Sequence, residues 1–113
     1  MIHILLHFLV PWLIAVGFYR ARWLGVTAVL WATMLVDLDH LLADPIYDPE
    51  RCSIGFHPLH TTPLIGLYAV LFSLPWLAGR AFQPGRGSQV LRALHLVGLG
   101  LLVHMGLDGI DCL

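Results

Sequence analysis

Apolar residues fill this chain in four long runs, Ile2–Tyr19, Trp23–Leu42, Thr62–Ala78 and Val90–Leu107, separated by polar connections. Each run holds about 17–20 residues, the length that crosses about 30 Å of hydrocarbon at about 1.5 Å per residue. The pattern predicts an all-α fold: a four-helix transmembrane bundle with a short extracytoplasmic lid loop. The helices are expected at about 2–19, 23–42, 58–78 and 90–108, all in one integral membrane domain spanning residues 1–113. Pro58 suits the first turn of the third helix, which puts His57 at its cap and His60 just inside. Pro11 is expected to kink the first helix. Gly98, Gly100, Gly106 and Gly109 give the fourth helix small positions at which a neighbour can approach closely. The only sizeable loop, Ala43 to Phe56, is irregular through its Pro and Gly and is read as the lid.

Composition agrees with this pattern. The chain is 58% hydrophobic and 12% charged, with a mean hydropathy of +0.82, which lies outside the soluble range. The net charge of −1 is silent about partners, but its distribution is not. There is no Lys. Arg20, Arg22, Arg80, Arg86 and Arg92 lie in the two connections on one side, whereas Arg51 and all seven acids lie on the other. The positive-inside rule then places the arginine loops in the cytoplasm and both termini on the extracytoplasmic side. Tyr19, Trp23 and Trp76 form the matching aromatic belt. The first run does not read as a signal peptide, since it lacks a basic start and is followed by Arg20 and Arg22. Cys52 and Cys112 are the only cysteines and share the oxidising side, so a disulfide is expected. It closes a long loop, worth about 4 kcal/mol in the chain-entropy model. Two thiolate ligands are the alternative.

The chemistry centres on Leu35-Val36-Asp37-Leu38-Asp39-His40, at the end of the second run. An Asp well inside a spanning helix costs about 2.5–3.5 kcal/mol, so something must offset it. The other runs carry polar residues at the same side. His3 and His7 are four apart and share a helix face. Asp37 and His40 are three apart, while Asp39 points elsewhere. His57 and His60 enter the third helix, and His104, Asp108 and Asp111 form one stripe at i, i+4 and i+7. For any one of these, the ordinary reading is a hydrogen-bonded core histidine, an interfacial histidine or a helix end emerging into water. His95, alone near the cytoplasmic end, is given that reading.

Together they read differently. Six of seven His and all seven acids share one side with a single Arg, so salt bridges cannot neutralise them. Divalent cations can, because neutral imidazole and carboxylate are ligands of Zn²⁺ and Mn²⁺. The expected site holds two divalent ions, Zn²⁺ ahead of Mn²⁺, near the extracytoplasmic boundary. Its ligands are drawn from His3, His7, Asp37, Asp39, His40, His57, His60, His104, Asp108 and Asp111. Asp39 is the candidate catalytic base, with Asp111 the runner-up.

The order of these motifs resembles the YdjM-like membrane-bound metal-dependent hydrolases, and among them a group of short bacterial membrane proteins. The matching stretches are an N-terminal His, Val-Asp-Leu-Asp-His, His-Pro-Leu-His-Thr and His-Met-Gly-Leu-Asp. The usual pattern there is Pro-Asp-x-Asp-His, His-Arg-Gly-x-Thr-His-Ser and His-x-x-x-Asp. The resemblance implies metal-site roles for His7, Asp37, Asp39, His40, His57, His60, His104 and Asp108. The chain departs from the pattern in the shorter His–His spacing, in the missing Arg-Gly and in Asp111, where Thr is common. Its His-x-x-x-Asp helix is also similar to the soluble zinc-dependent phospholipase C and nuclease group, which implies phosphoester chemistry. The expected function is a membrane-embedded metallohydrolase acting on a phosphoester or pyrophosphate at the outer leaflet. Its partners are then membrane lipid and a lipid-linked phosphate; no nucleic-acid partner is expected, and the oligomeric state is left open. The rivals are a non-enzymatic envelope metal-binding protein and a structural module stapled by metal. Transport ranks low, since the third and fourth runs are almost free of polar residues midway.

Overall fold

Local sequence sets where each helix starts and stops in the computed structural model, which describes residues 2–42, 52, 54–78 and 86–112. All of the regular structure among these residues is helical. Helix α1 spans Ile2–Phe18, and a 3-10 turn at Arg20–Arg22 leads into α2, Trp23–Ala32. A 3-10 segment, Thr33–Leu42, continues α2, and a 3-10 turn at Pro58–His60 precedes α3, Thr62–Ala78. Helix α4, Arg86–Asp111, is the longest. It packs against α1, α2 and most extensively α3.

The second helix departs from expectation. A continuous α-helix to Leu42 is predicted, but the α-helix ends at Ala32 and ten residues follow in the tighter 3-10 form. The change begins where the Thr33 hydroxyl donates to the Leu30 carbonyl, three residues back. Gly100 of α4 sits directly against that threonine: a Cβ at Gly100 would lie 2.5 Å from Thr33 Oγ1. A 3-10 helix rises about 2.0 Å per residue against about 1.5 Å for an α-helix. The ten residues therefore reach about 20 Å rather than about 15 Å, and Asp37 arrives beside α4 at a different height and rotation.

The third helix also begins later than expected, at Thr62 rather than Pro58. Pro63 has no N–H to give the Leu59 carbonyl, and its ring would clash there, so one helix cannot run through both prolines. Each proline instead opens its own helical turn. Pro58 starts the short one, with His57 in the extended position just before it, and the chain is extended again at Thr61, with φ −87° and ψ 156°. The Thr61 carbonyl accepts the first bond of α3, from the Ile65 N–H at 2.9 Å. The Leu59 carbonyl takes the Tyr68 hydroxyl at 2.8 Å instead. Gly55, at φ +84°, allows its N–H to reach the His60 carbonyl at 3.0 Å and close the turn from the other side. The fourth helix is longer than expected at both ends.

Two small apolar clusters sit along the bundle. Ala15, Val26, Leu30 and Leu96 join α1, α2 and α4. Val36, Tyr68 and Met105 join the 3-10 segment, α3 and α4. Many large apolar residues face outward instead, among them Ile4, Leu13, Leu24, Leu35, Leu67, Leu77 and Val90. Two stretches, Arg20–Leu38 and Gln89–Ile110, are long and apolar enough to cross a membrane; Ile4–Phe18 and Thr62–Leu77 are apolar but shorter. The longest dimension of the molecule is 47 Å.

Cys52 and Cys112 form a disulfide with Cα atoms 5.3 Å apart, inside the range such bridges span. The thiolate-ligand alternative is thereby set aside. Alkylation of unreduced protein should leave its mass unchanged. Reduction should lower stability by about 2 kcal/mol, the low end of the usual range, because structure retained in the unfolded chain leaves less loop entropy to remove. Two labelled thiols in unreduced protein would contradict the bridge. Most of the expected lid, residues 43–51 and 53, lies outside the described residues.

Candidate metal centre

Four elements end together and bring their polar residues to one point. Helix α1 supplies His7, the 3-10 segment Asp37, the Pro58–His60 turn His60, and α4 both His104 and Asp108, one turn apart. His104 Nε2 lies 2.9 Å from Asp37 Oδ1 and 3.2 Å from Asp108 Oδ2. His60 Nε2 lies 3.4 Å from Asp37 Oδ1 and 3.0 Å from Asp108 Oδ2. The donor atoms of Asp37, His60, His104 and Asp108 all fall within 4.8 Å of one another.

These spacings suit a cation. Ligand atoms about 2.0–2.1 Å from a tetrahedral ion stand about 3.3 Å from each other, and the four contacts run from 2.9 to 3.4 Å. Hydrogen bonding accounts for them less well. A neutral imidazole Nε2 carries at most one proton, yet each of these two faces oxygens from both carboxylates. The cluster can therefore hold a metal ion, with Asp37, His60, His104 and Asp108 as its donors.

The surroundings fix these donors in place. His7 Nε2 lies 3.1 Å from Asp108 Oδ1, the oxygen turned away from His60 and His104. A ligating carboxylate held in this way keeps its orientation. The His104 ring packs edge-on between His7, at 4.5 Å, and His60, at 5.5 Å. His104 Nδ1 is buried with no hydrogen-bond partner among the described residues, so packing sets that ring. His7, His60, His104 and Asp108 are buried, whereas the Asp37 side chain is 40% exposed. Three of the four donors are thus buried, and Asp37 is the one that water reaches.

The other expected residues sort by position. His57 is buried next to the cluster, its ring 5.6 Å from that of His60 and 5.0 Å from that of Phe56. Its donors are not among the converging four. The side chains of His3, Asp39, His40 and Asp111 lie outside the described residues. His95 is the packing histidine it was read as. Its Nδ1–H donates to the Phe72 carbonyl at 2.7 Å, and its Nε2 accepts the Tyr19 hydroxyl at 2.7 Å. Two supports do not figure among the sequence expectations: Thr33, which meets Gly100 and places Asp37, and Tyr68, which holds the His60 turn. A hydroxyl one helical turn before an acidic motif is a visible signal for the first pair.

No curated protein and no solved structure matches this chain. A protein-family match covers it from residue 1 to residue 113, and the chain belongs to that family, DUF6122, a family of unknown function.

Proposed function

We propose that this protein is a four-helix membrane metalloprotein that hydrolyses a phosphoester or pyrophosphate carried on a lipid of the outer leaflet. The observation that carries the reading is the two-His, two-Asp cluster, buried except at Asp37, whose side chain is 40% exposed. The resemblance to YdjM-like hydrolases supports it. Asp37, His60, His104 and Asp108 hold the first ion, zinc ahead of Mn²⁺, and His7 steadies Asp108. A second ion draws on His57, His40 and the remaining acids. A bound divalent ion supplies Lewis acidity and a water acidified toward pKa about 7. Asp39, off the face shared by Asp37 and His40, accepts the proton of the attacking water, and Asp111 stands in reserve. The arrangement of the bundle supports the substrate class, since donors at the ends of the helices meet a phosphate while its hydrocarbon chain stays in the bilayer.

The membrane reading draws on the outward-facing apolar residues, which would form unusually large patches on a water-soluble monomer. All four helices then span. Helices α1 and α3, with 17 residues each, stand at the short end of the spanning range. The switch to 3-10 form lengthens the second span. With Arg20, Arg22, Arg80, Arg86 and Arg92 in the cytoplasm, both termini and the cluster face outward. Reporter fusions at Gly85 should read cytoplasmic and fusions after Leu113 extracytoplasmic; the reverse pair of readings would move the site to the cytosol.

Turnover has its own test. Phosphate release from a panel of phospholipids and prenyl pyrophosphates should depend on metal and stop with chelator. Asp39→Asn should abolish it while most of the metal remains. One observation favours a second reading: the cluster ties together four separate elements, as a structural staple would. Metal that is needed for stability, with no metal-dependent release from any lipid in the panel, would replace the hydrolase with that staple.

A further inference from the structure

The opposite end of the bundle carries a second site, unrelated to the metal cluster. A cavity of about 640 Å³ opens there between the α1–α2 connection, the end of α3 and the start of α4. Arg20, Arg22 and Arg92 line it, together with Tyr19, Trp76 and His95. The volume lies in the range of pockets that bind small ligands. Its charge is one-sided. The sequence has no acid among residues 1–36 and none from 51 to 107, so no carboxylate in α1, α2, α3 or the first half of α4 can neutralise the three guanidinium groups.

Such a pocket suits a phosphate. The guanidinium fork matches phosphate oxygens two at a time, and basic pockets between membrane helices bind anionic lipid headgroups. The apolar part of the lining says which kind of phosphate. Trp76 and Phe18 lie at the cavity and are exposed on the outer surface of the bundle, where acyl chains would run. His95 leaves no proton donor for a ligand, since its two nitrogens are engaged by Tyr19 and Phe72. Recognition therefore falls to the arginines.

We infer that this cavity binds the phosphate of a net-anionic glycerophospholipid from the leaflet at the arginine end, with Arg20, Arg22 and Arg92 on the headgroup and Trp76 beside the acyl chain. The inference needs the membrane reading but not the metal or the hydrolase. The lipid is a bound partner in the leaflet opposite the cluster, distinct from any substrate.

Native mass spectrometry of the purified chain in mild detergent tests it, with equal amounts of dioleoyl phosphatidylglycerol and dioleoyl phosphatidylcholine. The wild type should retain the anionic lipid preferentially. Each Arg→Gln change should weaken that preference about fivefold, following the roughly 1 kcal/mol per basic residue near an anionic surface. The triple variant should lose it. Should the triple Gln variant fail to fold, the triple Arg→Lys variant is read instead; it keeps the charge but not the fork, and should show a reduced preference. Trp76→Ala should weaken lipid retention and leave binding of inorganic phosphate unchanged. Equal retention of both lipids by the wild type, or an undiminished preference in the triple variant, would overturn the inference. Saturable binding of inorganic phosphate or glycerol phosphate, with no gain from acyl chains, would also overturn it, in favour of a soluble anion. Metal content in the Arg→Gln variants should equal that of the wild type, so failure here leaves the metal reading untouched.

Discussion

Asp108→Ala should abolish metal binding at the proposed centre and lower stability by about 3–5 kcal/mol, the cost of removing one partner from a buried charged network. Asp108 is 4% exposed and meets three imidazoles, with His7 at 3.1 Å from one oxygen and His60 and His104 at 3.0 and 3.2 Å from the other. Without it, three buried rings from three elements lose a common acceptor, and a cavity remains. Asp37→Ala should lose metal too but cost less stability, because that side chain is 40% exposed and water can replace it. Elemental analysis and thermal unfolding with and without chelator read both effects. Chelator should lower the melting temperature of the wild type, since a ligand of the folded state stabilises it by mass action. It should leave that of Asp108→Ala unmoved. Full metal content in Asp108→Ala would remove the cluster from consideration as the binding site.

The cluster was legible in the sequence because its residues recur at helical spacing and at one side. His7, Asp37, His60, His104 and Asp108 come from four segments, yet alternating helices force those ends together. A residue's end of the bundle follows from counting helices; its place within a cluster does not. His57 and His60 are three apart at a helix entry and equivalent in the sequence, but it is His60 that meets the Asp37 and Asp108 carboxylates. The difference comes from the separate turn at Pro58, and that turn exists because Pro63 interrupts the helix. Two prolines five residues apart were enough to expose the break, and the reading of a single helix overlooked them. The Cys52–Cys112 pairing needed only their number and shared side.

The 3-10 segment was harder to see. Apolar residues along Thr33–Leu42 fit a helix of either pitch over so short a length. What selects the tighter form is tertiary: Gly100, on another helix, lets α4 come up against Thr33. The sequence marked Gly100 as a close-contact position but not its partner. Likewise the clustering of arginines is plain in the sequence, whereas the cavity that Arg20, Arg22 and Arg92 line depends on how His95 ties Tyr19 to Phe72 across three elements.

Close contact is also where the other large effect is expected, in Gly98→Ala. A Cβ at Gly98 would lie 2.5 Å from the Phe72 backbone nitrogen, 2.8 Å from the Tyr68 carbonyl oxygen and 2.9 Å from Leu71 Cβ. Two of these are backbone atoms of α3 and cannot rotate away, so the helices must separate. Overpacking a rigid contact costs about 1–3 kcal/mol and sometimes more; here the upper end, about 3 kcal/mol, is expected. The damage should reach the proposed metal centre, because Tyr68 is displaced with α3 and its hydroxyl holds the Leu59 carbonyl beside His60. Gly66→Ala on α3 and Gly106→Ala on α4 are the controls. An added Cβ meets nothing within 4 Å at either position, and the better helix propensity of Ala should make each neutral or more stable by up to about 1 kcal/mol. Thermal unfolding in detergent, with metal analysis of the same samples, separates the three. If Gly98→Ala proved as stable and as metal-rich as Gly66→Ala, α3 and α4 would not pack backbone to backbone, and the position of His60 would need another support.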